Sequence, residues 1–156
     1  MRKALPWYGV AACVILLDQL SKWLVLSVMY PGQTIYVAPF WNWVLTFNSG
    51  AAFSFLSEQS GWQRFFLSGL GVVISIWLGQ WIYKESEKFR LCSALALVVG
   101  GALGNVVDRV RLGVVVDFVQ WHVAGYAWPA FNVADAAISV GAVLLIWDQY
   151  RERPDA

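Results

Sequence analysis

Four stretches of about twenty mostly apolar residues constrain this chain more than any other feature. They cover roughly 5–29, 62–83, 91–107 and 131–150. A helix rises about 1.5 Å per residue, so each stretch is long enough to cross a hydrocarbon layer roughly 30 Å thick. Unpaired backbone polar groups are costly in lipid, so such stretches cross as helices. The composition agrees. Of 156 residues, 59% are hydrophobic and 13% are charged, against roughly 45–50% and 25% in a soluble domain. That leaves too little charge to cover a water-soluble globule. A net charge of +1 gives no surface for nucleic acid. The expected fold class is an all-α integral membrane protein with four transmembrane helices, forming a single domain over residues 1–156.

Lys and Arg set the expected orientation. Arg2, Lys3, Lys84, Lys88, Arg90, Arg151 and Arg153 fall on one side, and Lys22, Arg64, Arg109 and Arg111 on the other. Seven against four puts both termini in the cytoplasm. The two longer connections, roughly 30–61 and 108–130, then face outward. In the first, Trp41, Trp43, Leu45 and Phe47 alternate with Asn42, Val44, Thr46 and Asn48. Period-two alternation predicts a strand with one greasy face. Residues 114–119 form a second strand-like run, so a small β-sheet is expected on the outer surface. Ten tryptophans and six tyrosines suit membrane interfaces.

The cysteines, Cys13 and Cys92, lie in apolar runs without metal or redox spacing. They read as small buried hydrophobes. Val10-Ala11-Ala12-Cys13 looks like a lipid-attachment box. The apolar run before it is short and contains Pro6, and it continues past the cysteine, which favours a spanning helix.

Ionisable side chains at membrane depth are expensive and point to function. Asp18 and Lys22 stand four residues apart on one face of the first span. A neutralising ion pair that only fixes packing is the plain reading. Asn105, Asp108 and Arg109 close the third span, just after Gly100, Gly101 and Gly104. Small residues let a neighbouring helix approach there, and an Asp108–Arg109 structural pair is the plain reading. Asn132 and Asp135 open the fourth span, where simple capping would explain them. Taken together, Asn48, Arg109, Asp117, Asn132 and Asp135 all fall at the outer boundary, with Asp18 in the outer half of its span.

The chemistry narrows by what is missing. His122 has no plausible adjacent nucleophile, and neither H-E-x-x-H nor a cysteine cluster is present. Asp108, Asp117, Asp135 and His122 offer a divalent-cation reading that their spacing does not favour. Two neighbouring carboxylates can share a proton and hydrolyse a peptide bond. Residue types and spacing alone leave this acid pair open beside a proton-linked carrier that uses Asp18 and Lys22 as a relay. A structural scaffold also stands, but gives the clustered Asn and Asp no role.

Five blocks in order resemble the bacterial lipoprotein signal peptidases (signal peptidase II). They are Asp18-Gln19-Leu20-Ser21-Lys22, Asn48-Ser49-Gly50-Ala51-Ala52-Phe53, Gly100-Gly101-Ala102-Leu103-Gly104-Asn105 running into Asp108-Arg109, Val116-Asp117-Phe118, and Phe131-Asn132-Val133-Ala134-Asp135. The resemblance implies a membrane aspartic endopeptidase of the bacterial inner membrane. It implies catalytic roles for Asp117 and Asp135, and supporting roles for Asp18, Asn48, Asn105, Arg109 and Asn132. The implied substrate is a prolipoprotein carrying diacylglycerol, cut just before the lipidated cysteine. Membrane lipid is an implied partner and globomycin-type cyclic peptides are implied inhibitors. No metal or organic cofactor and a monomeric state are expected.

Overall fold

The computed structural model describes residues 3–50 and 61–151. Ala51, Ala52 and Phe53 of the second block lie outside the described residues, as do Arg2 and Arg153. The order is α1 (Leu5–Val28), β1 (Thr34–Ala38), β2 (Trp41–Asn48), α2 (Trp62–Lys84), α3 (Phe89–Leu112), β3 (Val115–Val123), β4 (Tyr126–Ala127) and α4 (Val133–Arg151). All four helices are long and apolar enough to cross a membrane. Pro6 sits in the first turn of α1, where its missing N–H costs nothing. Among the four, α3 is central and most buried, packing against α1, α2 and α4. The other three leave large apolar side chains such as Leu17, Trp77 and Val143 exposed, as lipid-facing surfaces do.

The third helix outlasts its apolar stretch and ends at Leu112 rather than 107. Asp108, Arg109 and Arg111 therefore stand on the helix and not in the connection. The stop comes at Gly113, whose φ of +80° suits glycine and whose N–H bonds to Arg109 O. Glycines of α3 also bring the helices together. A Cβ on Gly100 would lie 2.6 Å from Val14 Cβ, and one on Gly104 2.8 Å from Asp18 Oδ2. Gly101 is pressed against the α4 backbone at Ala134. These contacts seat the first turn of α4 and the middle of α1 directly on α3.

The four strands form one antiparallel sheet in the order β1-β2-β3-β4. It packs through Leu45, Val116 and Phe118 against Val25 and Met29 at the C-terminal end of α1. The greasy face expected of β2 does not run its whole length. Between Trp43 and Thr46 the register slips by one residue against β3. That bulge turns the alternation over, so Val44 and Leu45 are both buried while Phe47 is exposed. A second core, including Ala11, Leu78, Ile82, Leu95 and Ala96, holds the opposite half of the bundle. Cys92 is buried there, but Cys13 is exposed on the flank of α1, so only one cysteine is the expected core residue.

Candidate active site

Asp117 lies on β3 opposite Thr46 of β2. Two residues past Thr46, the strand end brings Asn48 Nδ2 to within 3.2 Å of Asp117 Oδ2. The chain leaves β4 and clips back onto β3, with Phe131 and Val119 exchanging backbone hydrogen bonds of 2.9 Å. This clip delivers Asn132 to the other side of the carboxylate, where Asn132 Nδ2 donates to Asp117 Oδ1 at 2.7 Å. Asp117 and Asn132 are only 2% and 1% exposed.

Asn132 also starts α4. Its Oδ1 accepts the Asp135 N–H at 2.9 Å, and its own N–H donates to Asp135 Oδ2 at 3.3 Å. This is a reciprocal capping box, so the capping reading of these two residues is true as geometry. It does not exhaust them. The other oxygen of Asp135, Oδ1, accepts from Asn105 Nδ2 of α3 at 2.7 Å. Asn105 Oδ1 in turn accepts from Asn132 Nδ2 at 3.3 Å. Two carboxylates from β3 and α4 are thus joined by two asparagines.

Behind them lies a charged cluster. Lys22 Nζ is 2.8 Å from both Asp18 Oδ2 and Asp108 Oδ2, and donates to Asn105 Oδ1 at 3.2 Å. Gln19 Nε2 donates to Asp108 Oδ1 at 2.8 Å and to Asp18 Oδ2 at 3.1 Å. The i, i+4 pair of α1 is therefore real, but Lys22 serves two carboxylates. Asp108 pairs with Lys22 and not with Arg109. Adjacent helical residues do not face each other, which is reason enough to reject that pair from the sequence. Gln19 is the site residue that sequence reasoning left without a role, and Asp108 the one whose partner, Lys22, it did not foresee. A polar residue inside an apolar span was the available signal for Gln19.

Electrostatics single out Asp117. Burial pushes its carboxyl up, and the neighbouring charge of Asp135 adds to this, raising it to about 7. The amides of Asn48 and Asn132 and the charge of Lys22 pull the other way. The Arg109 guanidinium feels the charges of Asp135, Asp117 and Asp108. Its Nε is buried without a hydrogen-bond partner among the described residues. His122 is engaged elsewhere, with its Nε2 3.1 Å from Asn42 Oδ1 and its ring edge-on to Tyr36. Beside Asp135 opens a cavity of about 500 Å³, walled by Trp121, Trp128, Phe131, Ala136 and Ser139 among others.

Residues 10–151 match a family model described as Signal peptidase (SPase) II. The chain is 53% identical over 148 residues to a lipoprotein signal peptidase of Polynucleobacter necessarius subsp. necessarius (strain STIR1), covering 95% of this chain and 91% of that one. It is 52% identical over 155 residues to a lipoprotein signal peptidase of Azoarcus sp. (strain BH72), covering 97% and 88%. Its fold superposes on a solved bacterial membrane enzyme, determined by the in meso method at 1.9 Å, with a TM-score of 0.84 at 31% identity, over 95% of this chain and 94% of that one.

Proposed function

The chain belongs to the signal peptidase II family, proteases that process prolipoproteins, and from that premise we propose that Asp117 and Asp135 are its catalytic pair. The observation that carries this reading is the asparagine frame. Asn132 bonds to both carboxylates, and the apolar cavity reaches Asp135.

Two carboxylates in one frame work best when they hold a single proton between them. With Asp117 raised to about 7, Asp117 is the member that carries this proton near neutral pH. Asp135 then acts as base. Asp135 takes a proton from water as the water oxygen bonds to the carbonyl carbon. Asp117 gives its proton to the carbonyl oxygen, yielding a neutral gem-diol. In the second half Asp117 takes a proton back from one hydroxyl, Asp135 passes its proton to the amide nitrogen, and the C–N bond breaks. The pair ends as it began. Arg109, with a buried N–H to spare, is suited to hold a backbone carbonyl of the opened substrate.

The substrate we assign is a prolipoprotein carrying diacylglycerol, cut before the lipidated cysteine. A signal peptide is itself a helix-length apolar segment. It can lie in lipid beside α4 while its unwound end reaches Asp135 through the aromatic cavity. Both termini are assigned to the cytoplasm and the pair to the outer boundary of the inner membrane. The enzyme works as a monomer, and a globomycin-type cyclic peptide would occupy the same cavity.

The test is to give the purified protein one precursor with and without its diacylglyceryl group, and to sequence the products. The lipidated form should be cut, with the modified cysteine as the new N-terminus. Equal cutting of the unlipidated form, or a cut elsewhere, would overturn the substrate assignment.

A further inference from the structure

We propose that Lys22 is the positioning residue that sets the spacing between Asp117 and Asp135. The inference rests on those two aspartates being the catalytic pair, and Lys22 itself touches neither.

An ammonium group has three donors in a tetrahedral array. In this site all three have acceptors: Asp18 Oδ2 at 2.8 Å, Asp108 Oδ2 at 2.8 Å and Asn105 Oδ1 at 3.2 Å. What each acceptor does next carries the inference. Asp18 Oδ1 accepts the Ala134 N–H at 2.9 Å, and Ala134 immediately precedes Asp135. Asp108 Oδ2 accepts the Val116 N–H at 3.1 Å, and Val116 immediately precedes Asp117. Asn105 donates through Nδ2 to Asp135 Oδ1 at 2.7 Å. One cation on α1 therefore governs the backbone beside each aspartate, and one of the aspartate carboxylates as well.

A pair that only neutralised charge would need one carboxylate, not two on different helices. It would have no reason to end on the two residues before the aspartates. Nor does the arrangement suit a proton relay. Lys22 is 2% exposed, and all its donors point into the frame. The three acceptors come from α1 and α3, whereas the aspartates sit on β3 and α4. Without the cation, Asp18 and Asp108 are left as buried carboxyl groups with no counter-charge, and either their repulsion or the uptake of a proton shifts the anchors they give to the two backbones.

The groups facing Asp117 are Asp135 from α4, Arg109 from α3 and Lys22 from α1, with Asn48 and Asn132 as neutral donors. The Lys22 charge draws the Asp117 carboxyl down, so its removal has a signature that loose packing alone lacks.

The experiment compares Lys22→Met and Lys22→Arg in the same lipid, on a lipidated precursor, with folding followed by tryptophan fluorescence on heating. Lys22→Met should lose about a hundredfold in kcat, because sub-ångström placement of reacting groups sets that scale, while KM stays within about twofold. Its alkaline activity limb should move up by about half a pH unit as Asp117 loses the nearby cation. Lys22→Arg restores the charge, but its planar fork cannot meet three tetrahedrally placed acceptors. Its limb should return to the parent position while kcat stays at least about tenfold low. A folded Lys22→Met with parental kcat and an unmoved limb overturns the proposal. Should Lys22→Met fail to assemble, parental kcat in Lys22→Arg overturns it instead. Asp117→Asn and Asp135→Asn run alongside. If they are inactive while the Lys22 variants match the parent, only the positioning role fails. If they turn over, the catalytic pair itself fails.

Discussion

Asn132 donates its side-chain amide to Asp117 at 2.7 Å, across the gap between a strand and the helix that carries the second aspartate. The same side chain caps that helix through Asp135. One asparagine therefore fixes both the fold of the first turn of α4 and the orientation of the β3 carboxylate.

Replacing it should separate these effects. Asn132→Ala removes the cap, which costs about 1 kcal/mol of stability, and frees the Asp117 carboxylate to turn. We expect a small drop in the thermal midpoint and a loss of about a hundredfold in kcat. Steady-state kinetics beside thermal unfolding checks this. A kcat that falls only as far as the folded fraction does would reduce Asn132 to a helix cap.

The pH dependence follows from Asp117, which burial and the charge of Asp135 raise from 3.8 to about 7. On the proposed mechanism turnover needs one proton on the pair, so kcat should fall as pH rises through about 7. Stability has the same sign. A carboxyl raised on folding binds its proton more tightly in the native state. Its contribution is fully present below the ordinary value of 3.8, weakens as pH rises, and is lost above about 7. Asp135→Asn removes the neighbouring negative charge and should move the Asp117 titration down, as read by carbon-13 NMR of labelled aspartate. An unchanged titration would mean that the two carboxylates do not sense each other.

Orientation can be read by labelling. In a chain with Cys13 and Cys92 replaced by serine, Glu87→Cys lies between α2 and α3, and Tyr126→Cys lies on β4. An impermeant thiol reagent should reach the Glu87 position only in inverted membrane vesicles, and the Tyr126 position only in right-side-out spheroplasts. The opposite pattern would invert the assigned topology.

Much of the fold was legible because lipid imposes simple rules. Apolar length marked all four helices, and period-two alternation marked β2 and β3. The bulge between Trp43 and Thr46 was not legible, since register depends on the partner strand. Apolar length does not mark the end of α3, because hydropathy stops at the membrane, whereas a helix stops where a residue such as Gly113 lets it. At the site, the spacing of Asn132 and Asp135 announced a cap. Their meeting with Asp117 depends on the Phe131–Val119 clip, which no local pattern encodes. Lys22 was visible as a partner for Asp18, but Asp108 lies far away in sequence and reaches it only because Gly100 and Gly104 let α1 and α3 touch. Spacing alone does not separate an acid pair from a proton-linked carrier; only the family's motif blocks single out Asp117 and Asp135.

If Asp117 and Asp135 hydrolyse the peptide bond together, as proposed, neither carboxyl can be spared. The most direct measurement is single-turnover cleavage of a lipidated precursor by Asp117→Asn and Asp135→Asn, each purified in the same lipid as the parent and shown to share its thermal unfolding profile. Each variant should lose at least about a thousandfold in rate, because each removes one half of a proton exchange that no other group in the frame can supply. A folded variant of either residue that cleaves at close to the parental rate would mean that the two carboxyls do not form the catalytic pair.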